Sequence, residues 1–220
     1  EWRSYGGDIA NTRYSPLAQI DANNFGELEI AWRVKTANFG PNPEFNFQST
    51  PLMIDGVVYS TAGSRRAVIA VDAGSGELLW AHRFDEGERG AAAPRRLSGR
   101  GLAYRDDGAG GKIFYVTLGY QLVGLDARTG ERLSNFGEKG VVDLKQNFDQ
   151  NIDLVTGEVG LHATPLVAGD MIVVGASPGV GPPGLTRNVK GYIRGYDART
   201  GERKWMFHTI PDADEFGNDT

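Results

Sequence analysis

Cysteine is absent from all 220 residues, so no disulfide can brace the fold and the redox compartment stays open. Charge of one sign is not concentrated anywhere. The formal −5 is spread along the chain without a basic run, which makes nucleic acid and acidic membrane surfaces poor partners. No apolar run approaches the ~20 residues that a bilayer-spanning helix needs. Neither a glycine-rich phosphate cradle nor a nucleophile elbow is present. What the chain has instead is turns: 31 glycines and 10 prolines, beside a hydrophobic content of 40% that is enough for a core.

One turn recurs. Val71–Trp80 reads VDAGSGELLW, and its core phrase returns as LDARTGERLS and YDARTGERKW. An Asp leaving a strand can accept hydrogen bonds from the amides one and two residues ahead, and Ser or Thr supports the same turn. The following Gly76, Gly130 and Gly201 take the positive φ that a β-carbon would penalise. Upstream of each corner lie strand-like runs: Ala67–Val71, Gln121–Leu125 and Tyr192–Tyr196. Two more precede each of these: Ser49–Ile54 with Val57–Thr61, Gly101–Tyr104 with Ile113–Thr117, and Thr164–Ala168 with Met171–Ala176. Four residues past the corner glycine stand Trp80, Ser134 in the weakest copy, and Trp205.

Four strands repeated with unequal loops predict an all-β fold of the β-propeller type. The expected units are a blade over 49–84, a second over 100–137 and a third over 164–209, in one domain spanning 1–220. Residues 1–48 form an N-terminal segment whose ELEIAWRVKT stretch supplies a strand and Trp32 to a closing blade. Each Trp is expected to be buried between neighbouring blades. Closed rings have about 4–8 blades, so the chain reads as the N-terminal portion of a longer protein. It begins at Glu1 rather than Met, which fits a leader removed or never included.

The phrases EWRSYGGDIANTRYSPLAQI, AWRVKT, GRGLAY (Gly99–Tyr104), HATPLV (His162–Val167) and GYIRGYDARTGERKW, in that order, resemble the pyrroloquinoline quinone (PQQ) dependent dehydrogenases. NFGEKGVVDL (Asn135–Leu144) resembles the glucose-dehydrogenase-type branch. The resemblance implies an eight-bladed propeller with the quinone near its axis beside a divalent cation, usually calcium. It implies oxidation of a sugar or alcohol by hydride transfer to the quinone, with electrons passed to a quinone or cytochrome acceptor. It also implies a periplasmic bacterial protein, with membrane anchoring by parts outside this chain left open.

Carried over residue by residue, Arg100 matches an arginine beside the quinone, where a guanidinium stabilises charge building on the quinone oxygens. Ser177 matches a hydroxyl that holds a PQQ carboxylate. His162 stands where many relatives have Thr and can still donate to that carboxylate, and Gln48 stands where relatives carry Glu. The chain departs from the family at Pro94 and Arg95, where the alcohol-oxidising branch has two adjacent cysteines. It also lacks an acidic metal ligand in GASPGVGPPG. The catalytic Asp, an Asn metal ligand and the Trp under the quinone are expected beyond Thr220, so the catalytic and metal residues are not assigned and this piece alone is expected to be inactive.

Each candidate has a plainer reading. Arg100 could be an interblade salt-bridge partner, His162 a hydrogen-bonded structural histidine, and Gln48 and Ser177 ordinary loop residues. Asn147, Asp149, Asn151, Asp153 and Glu158 nearly follow calcium-loop spacing, but Ile152 stands where Gly is needed. Asp153–Glu158 is better read as a fourth corner phrase. Asp212–Asp219 reads as a solvated loop, and His82 and His208 as outer-strand residues. The rival function is a non-enzymatic propeller scaffold of the outer-membrane assembly type. The insertions Asp85–Gly99, Phe136–Leu161 and Pro178–Val189 argue for an enzyme, since such scaffolds have compact blades.

Overall fold

The β-branched runs pair as strands because alternate side chains can leave the solvent on both faces of a stacked sheet. The structure, a computed structural model, describes residues 1–41, 44–178 and 189–218. Much of the insertion Pro178–Val189 therefore lies outside the described residues, as does Asp219. Sheet 1 is antiparallel, with β1 (Leu52–Ile54), β2 (Val57–Ala62), β3 (Ala67–Asp72) and β4 (Leu78–His82) in that order. The β1–β2 hairpin turns on Asp55 and Gly56, whose φ values of 48° and 78° are what a two-residue hairpin requires. A short helix α1 (Gly87–Ala92) lies in the following insertion.

Sheet 2 repeats the order with β5 (Ala103–Arg105), β6 (Lys112–Val116), β7 (Gln121–Asp126) and β8 (Val141–Asp143). Its fourth strand lies outside the 100–137 span expected for this blade. In the copy without Trp the chain leaves the sheet after one bridge, Leu125 to Arg132, and loops through Leu133–Gly140 before pairing again. A two-stranded ribbon pairs β9 (Val159–Gly160) with β12 (Ser177–Pro178). Sheet 3 joins β10 (Leu166–Ala168), β11 (Met171–Val174), β13 (Tyr192–Asp197) and β14 (Arg203–His208).

The core lies between sheets, as stacked blades require. Leu52, Tyr59, Val68, Ile113, Tyr115 and Val123 fill the gap between sheets 1 and 2. Phe114, Leu122, Phe136, Leu144, Ile172 and Tyr196 fill that between sheets 2 and 3. Buried within the latter, Arg194 lies 4.2 Å from the Phe148 ring centroid and donates to Leu144 O and the Tyr120 hydroxyl, each at 2.9 Å.

The repeated corner is explained by its neighbours. Asp72, Asp126 and Asp197 each accept from the amides two and three residues ahead, one residue further on than the turn chemistry predicts. Trp32 donates from Nε1 to Ala73 O at 3.0 Å, and Trp80 to Ala127 O at 3.1 Å. Each indole lies over the corner glycine of the next sheet: a β-carbon on Gly76 would sit 2.5 Å from Trp32, and one on Gly130 would sit 2.5 Å from Trp80. At the third corner, where Ser134 replaces Trp, Val142 fills that place over Gly201 and Gly137 N donates to Thr200 O at 2.8 Å. The corner is thus both a hairpin turn and a socket for the preceding blade.

Further expectations need correcting. Trp80 is half-buried rather than buried. Trp205 is not buried but 42% exposed, because no corner of a further sheet faces it among the described residues. Trp32 docks as a blade Trp should, yet Leu28–Lys35 forms no strand, since no partner strand lies beside it among the described residues.

Candidate functional site

By strand direction, the corners and β1–β2 turns share one end of the sheets, and the starts of the first strands share the other. At that second end the lead-in segments of the three sheets lie side by side. Thr50 N donates to Arg100 O at 3.0 Å, and Arg100 N donates to His162 O at 2.9 Å. Gly101 permits the approach: its φ is 129°, and a β-carbon there would meet Thr50 O at 2.8 Å.

This ladder brings three of the four candidates together. Gln48 stands two residues before Thr50 and is exposed, Arg100 is exposed, and His162 is half-buried. Ser177, also half-buried, joins them through the β9–β12 ribbon, where it pairs with Gly160, two residues before His162. Against the plainer readings, Arg100 has no carboxylate partner among the described residues. No hydrogen bond fixes the His162 imidazole there either.

The electrostatics of this end are cationic. Burial holds the His162 pKa below its ordinary value, and the guanidinium groups of Arg66, Arg95 and Arg100 push it the same way. His162 is therefore neutral at pH 7, with one ring nitrogen able to donate and the other to accept.

Sequence reasoning missed Arg66, which organises the site. It is 4% exposed and donates to five carbonyls: Leu97, Val116, Thr117, Leu161 and Arg95. Burial pulls its pKa down to about 10, so it remains charged at neutral pH. These bonds tie the first insertion, the β6 end and the residue before His162 to one cation. Pro94 and Arg95 pack over Gly160. Glu44 accepts from Gly63 N and Ser98 N at 3.1 and 2.9 Å, securing the same insertion from the other side. Glu86 accepts from the Thr117 hydroxyl at 2.6 Å and Gly119 N at 2.9 Å, and burial raises its pKa. Arg66 belongs to the tight hairpin GSRRAVI, where nothing local tells it from exposed Arg65.

A planar, polyanionic cofactor fits this end. Three guanidinium groups act on one imidazole, Ser177 and Gln48 lie on backbone segments paired with the same lead-ins, and none of the four candidate side chains is acidic. A cation is another matter, because these four side chains offer it no carboxylate.

The family model for the PQQ β-propeller domain of glucose/ethanol/alcohol dehydrogenases matches residues 2–220, and the chain belongs to that family. It is 34% identical over 216 residues to the quinohemoprotein alcohol dehydrogenase ADH IIB of Pseudomonas putida, covering 96% of this chain and 26% of the relative. It is 33% identical over 204 residues to a 1-butanol dehydrogenase (cytochrome c) of Thauera butanivorans, covering 92% and 25%. Among solved structures, the quinohemoprotein alcohol dehydrogenase of Comamonas testosteroni gives a TM-score of 0.72 at 28% identity, covering 96% of this chain and 27% of that one. A europium-containing methanol dehydrogenase gives 0.70 at 27%, covering 97% and 34%. The three sheets are therefore blades of a propeller of this type. The chain spans about a quarter of the length of the curated relatives it matches.

Proposed function

We propose that the protein oxidises an alcohol with PQQ, and that this chain supplies one wall of the cofactor site. The observation that carries the proposal is the backbone ladder from Thr50 through Arg100 to His162, which sets Arg100 and His162, whose side chains have no hydrogen-bond partner among the described residues, in a cationic field at one end of the blades. When bound, PQQ supplies the acceptor for the hydride. Arg100 is positioned to hold the negative charge that builds on the quinone oxygens. His162 and Ser177 orient a cofactor carboxylate by donating hydrogen bonds, and Gln48 serves the same edge with a neutral amide. The divalent cation, the catalytic base and the electron acceptor, a quinone or a cytochrome, come from elsewhere. This chain alone is accordingly inactive, and the working compartment is the periplasm.

An alcohol is preferred as substrate because the relatives named above are alcohol dehydrogenases. A sugar or other polyol is the second reading, favoured by the glucose-type phrase Asn135–Leu144 and by Pro94 and Arg95, where the alcohol branch has cysteines. The scaffold reading is disfavoured by the way Arg66 and Glu44 hold the first insertion against the inner end.

The test uses the full-length protein with PQQ and calcium, following dye reduction with ethanol, 1-butanol and glucose. Arg100→Ala should lower kcat more than it raises KM, since the charge it meets develops in the transition state. Unchanged turnover in Arg100→Ala would remove the residue from the site. Absence of PQQ-dependent turnover with every hydroxyl substrate would overturn the enzyme reading.

A further inference from the structure

Two turns at the end where the first strands begin are equivalent. Residues 63–66 join β2 to β3 and residues 117–120 join β6 to β7, and in each turn the fourth residue donates its amide to the carbonyl of the first. Both fourth residues, Arg66 and Tyr120, lie in the left-handed region, with φ of 55° and 65°, and both side chains are buried. A large side chain there is uncommon, because glycine takes that backbone at no steric cost. The position repeats but the side chain does not. Arg66 reaches Leu161 O, beside His162, whereas Tyr120 donates to Gly175 O at 2.7 Å, two residues before Ser177.

The Tyr120 hydroxyl has a fixed direction. The Arg194 guanidinium can only donate and does so to this oxygen at 2.9 Å, so the one phenolic proton goes on to Gly175 O. Burial pushes the Tyr120 pKa up to about 12, which keeps that proton in place at neutral pH. Arg194 is itself fully buried, held by Leu144 O and by the rings of Tyr120, Phe148 and Tyr196, with no carboxylate partner among the described residues. A hydroxyl polarised by a buried cation is a stronger donor. The acceptor lies where sheet pairing stops. β11 ends at Val174, which pairs with Arg194, and β12 begins at Ser177, so residues 175–176 cross from sheet 3 to the ribbon outside either strand.

We propose that Tyr120 is a positioning residue for the cofactor wall: its hydroxyl, aimed by Arg194, fixes the Gly175 carbonyl and thereby the backbone that presents Ser177. The inference rests on the reading of Ser177 as a contact for a PQQ carboxylate. It divides the wall between neighbouring blades. A turn of sheet 1 holds the residue before His162, and the equivalent turn of sheet 2 holds the crossing that leads to Ser177. Tyr120 is fully buried, so its effect on the cofactor passes through position 177.

The full-length protein, freed of cofactor, is titrated with PQQ in the presence of calcium while quenching of tryptophan fluorescence is followed. Ser177→Ala should weaken PQQ binding about tenfold or more, the scale of a hydrogen bond to a carboxylate. Tyr120→Phe keeps the ring and should weaken binding about three- to tenfold. Added to Ser177→Ala it should cost less than about twofold more, since both act through one contact. Arg194→Lys keeps the charge without the fork that reaches Leu144 O and Tyr120 together. It should show the same coupling with a smaller loss, and it carries the test if Tyr120→Phe does not fold. Losses that multiply in the double variant, or wild-type affinity in Tyr120→Phe beside a weakened Ser177→Ala, would overturn the proposal and leave the reading of Ser177 standing. Unchanged affinity in Ser177→Ala would overturn that reading and the proposal with it.

Discussion

At the corner end of the blades, Asp72, Asp126 and Asp197 each bond amides two and three residues ahead, and the same construction is repeated for every sheet. At the inner end, where the first strands begin, a single arginine, Arg66, reaches carbonyls from residue 95 to residue 161, and this side-chain arrangement has no counterpart in the other two sheets among the described residues. The corner end is locally encoded and exposed, so each bond contributes little and failures stay local. The inner end is buried and long-range, so its central cation cannot be removed without stranding several partners at once. Blade repetition builds the scaffold, and departures from repetition build the site.

The sharpest way to break this contrast is Arg66→Ala. It strands five carbonyls and opens a cavity, and should cost about 3–5 kcal/mol in urea denaturation of the full-length protein. A loss under about 1 kcal/mol would mean that water replaces the guanidinium freely and that the inner end is not organised by Arg66.

At the corner end, Trp80→Ala removes a half-buried indole and its bond to Ala127 O, and should cost about 2–4 kcal/mol. Trp32→Ala should approach that value if its socket over Gly76 is equivalent. A much smaller loss for Trp32 would show that the socket needs the strand as well as the ring. Gly130→Ala combines a φ of 72° with a clash against Trp80 and should cost about 1–3 kcal/mol. Gly56→Ala, at φ 78° but in open space, should cost only about 1 kcal/mol, from the backbone alone. Equal losses at the two glycines would refute the socket.

The smallest effect separates the two ends by pH. Asp72 and Asp197 have carboxyls held below their ordinary value of 3.8 by backbone amides. The stability they contribute is present above about pH 4 and is lost as pH falls through their lowered values. His162 is a base whose folded pKa lies below 6.5, so the unfolded chain protonates first. Its contribution is present above about pH 6.5 and is lost as pH falls below that. Burial of His82 acts in the same direction. His162→Gln should therefore flatten the stability profile just below pH 6.5 and leave the acid limb intact. An unchanged profile would show that neither burial nor the cationic field acts on the imidazole.

Much of this was legible in the chain itself. The corner phrase marked three hairpins because Asp, Ser or Thr and Gly act within a few residues of one another, and the runs before it marked most strands to within a few positions. The displaced fourth strand of sheet 2 was not legible, because Ser134 removes the Trp signal and the chain returns only after a loop. The four candidate residues came from family resemblance, since Gln48, Arg100, His162 and Ser177 carry no local pattern.

The sequence by itself determined the blade: turn chemistry and alternating apolar residues are short-range properties, written where they act. Only the tertiary structure decided what each blade meets. It chose Arg66 over Arg65 for burial, set His162 beside Arg100, and brought Tyr120 to Gly175. Those choices depend on groups tens of residues apart sharing one low-dielectric space, which no local stretch of the chain records.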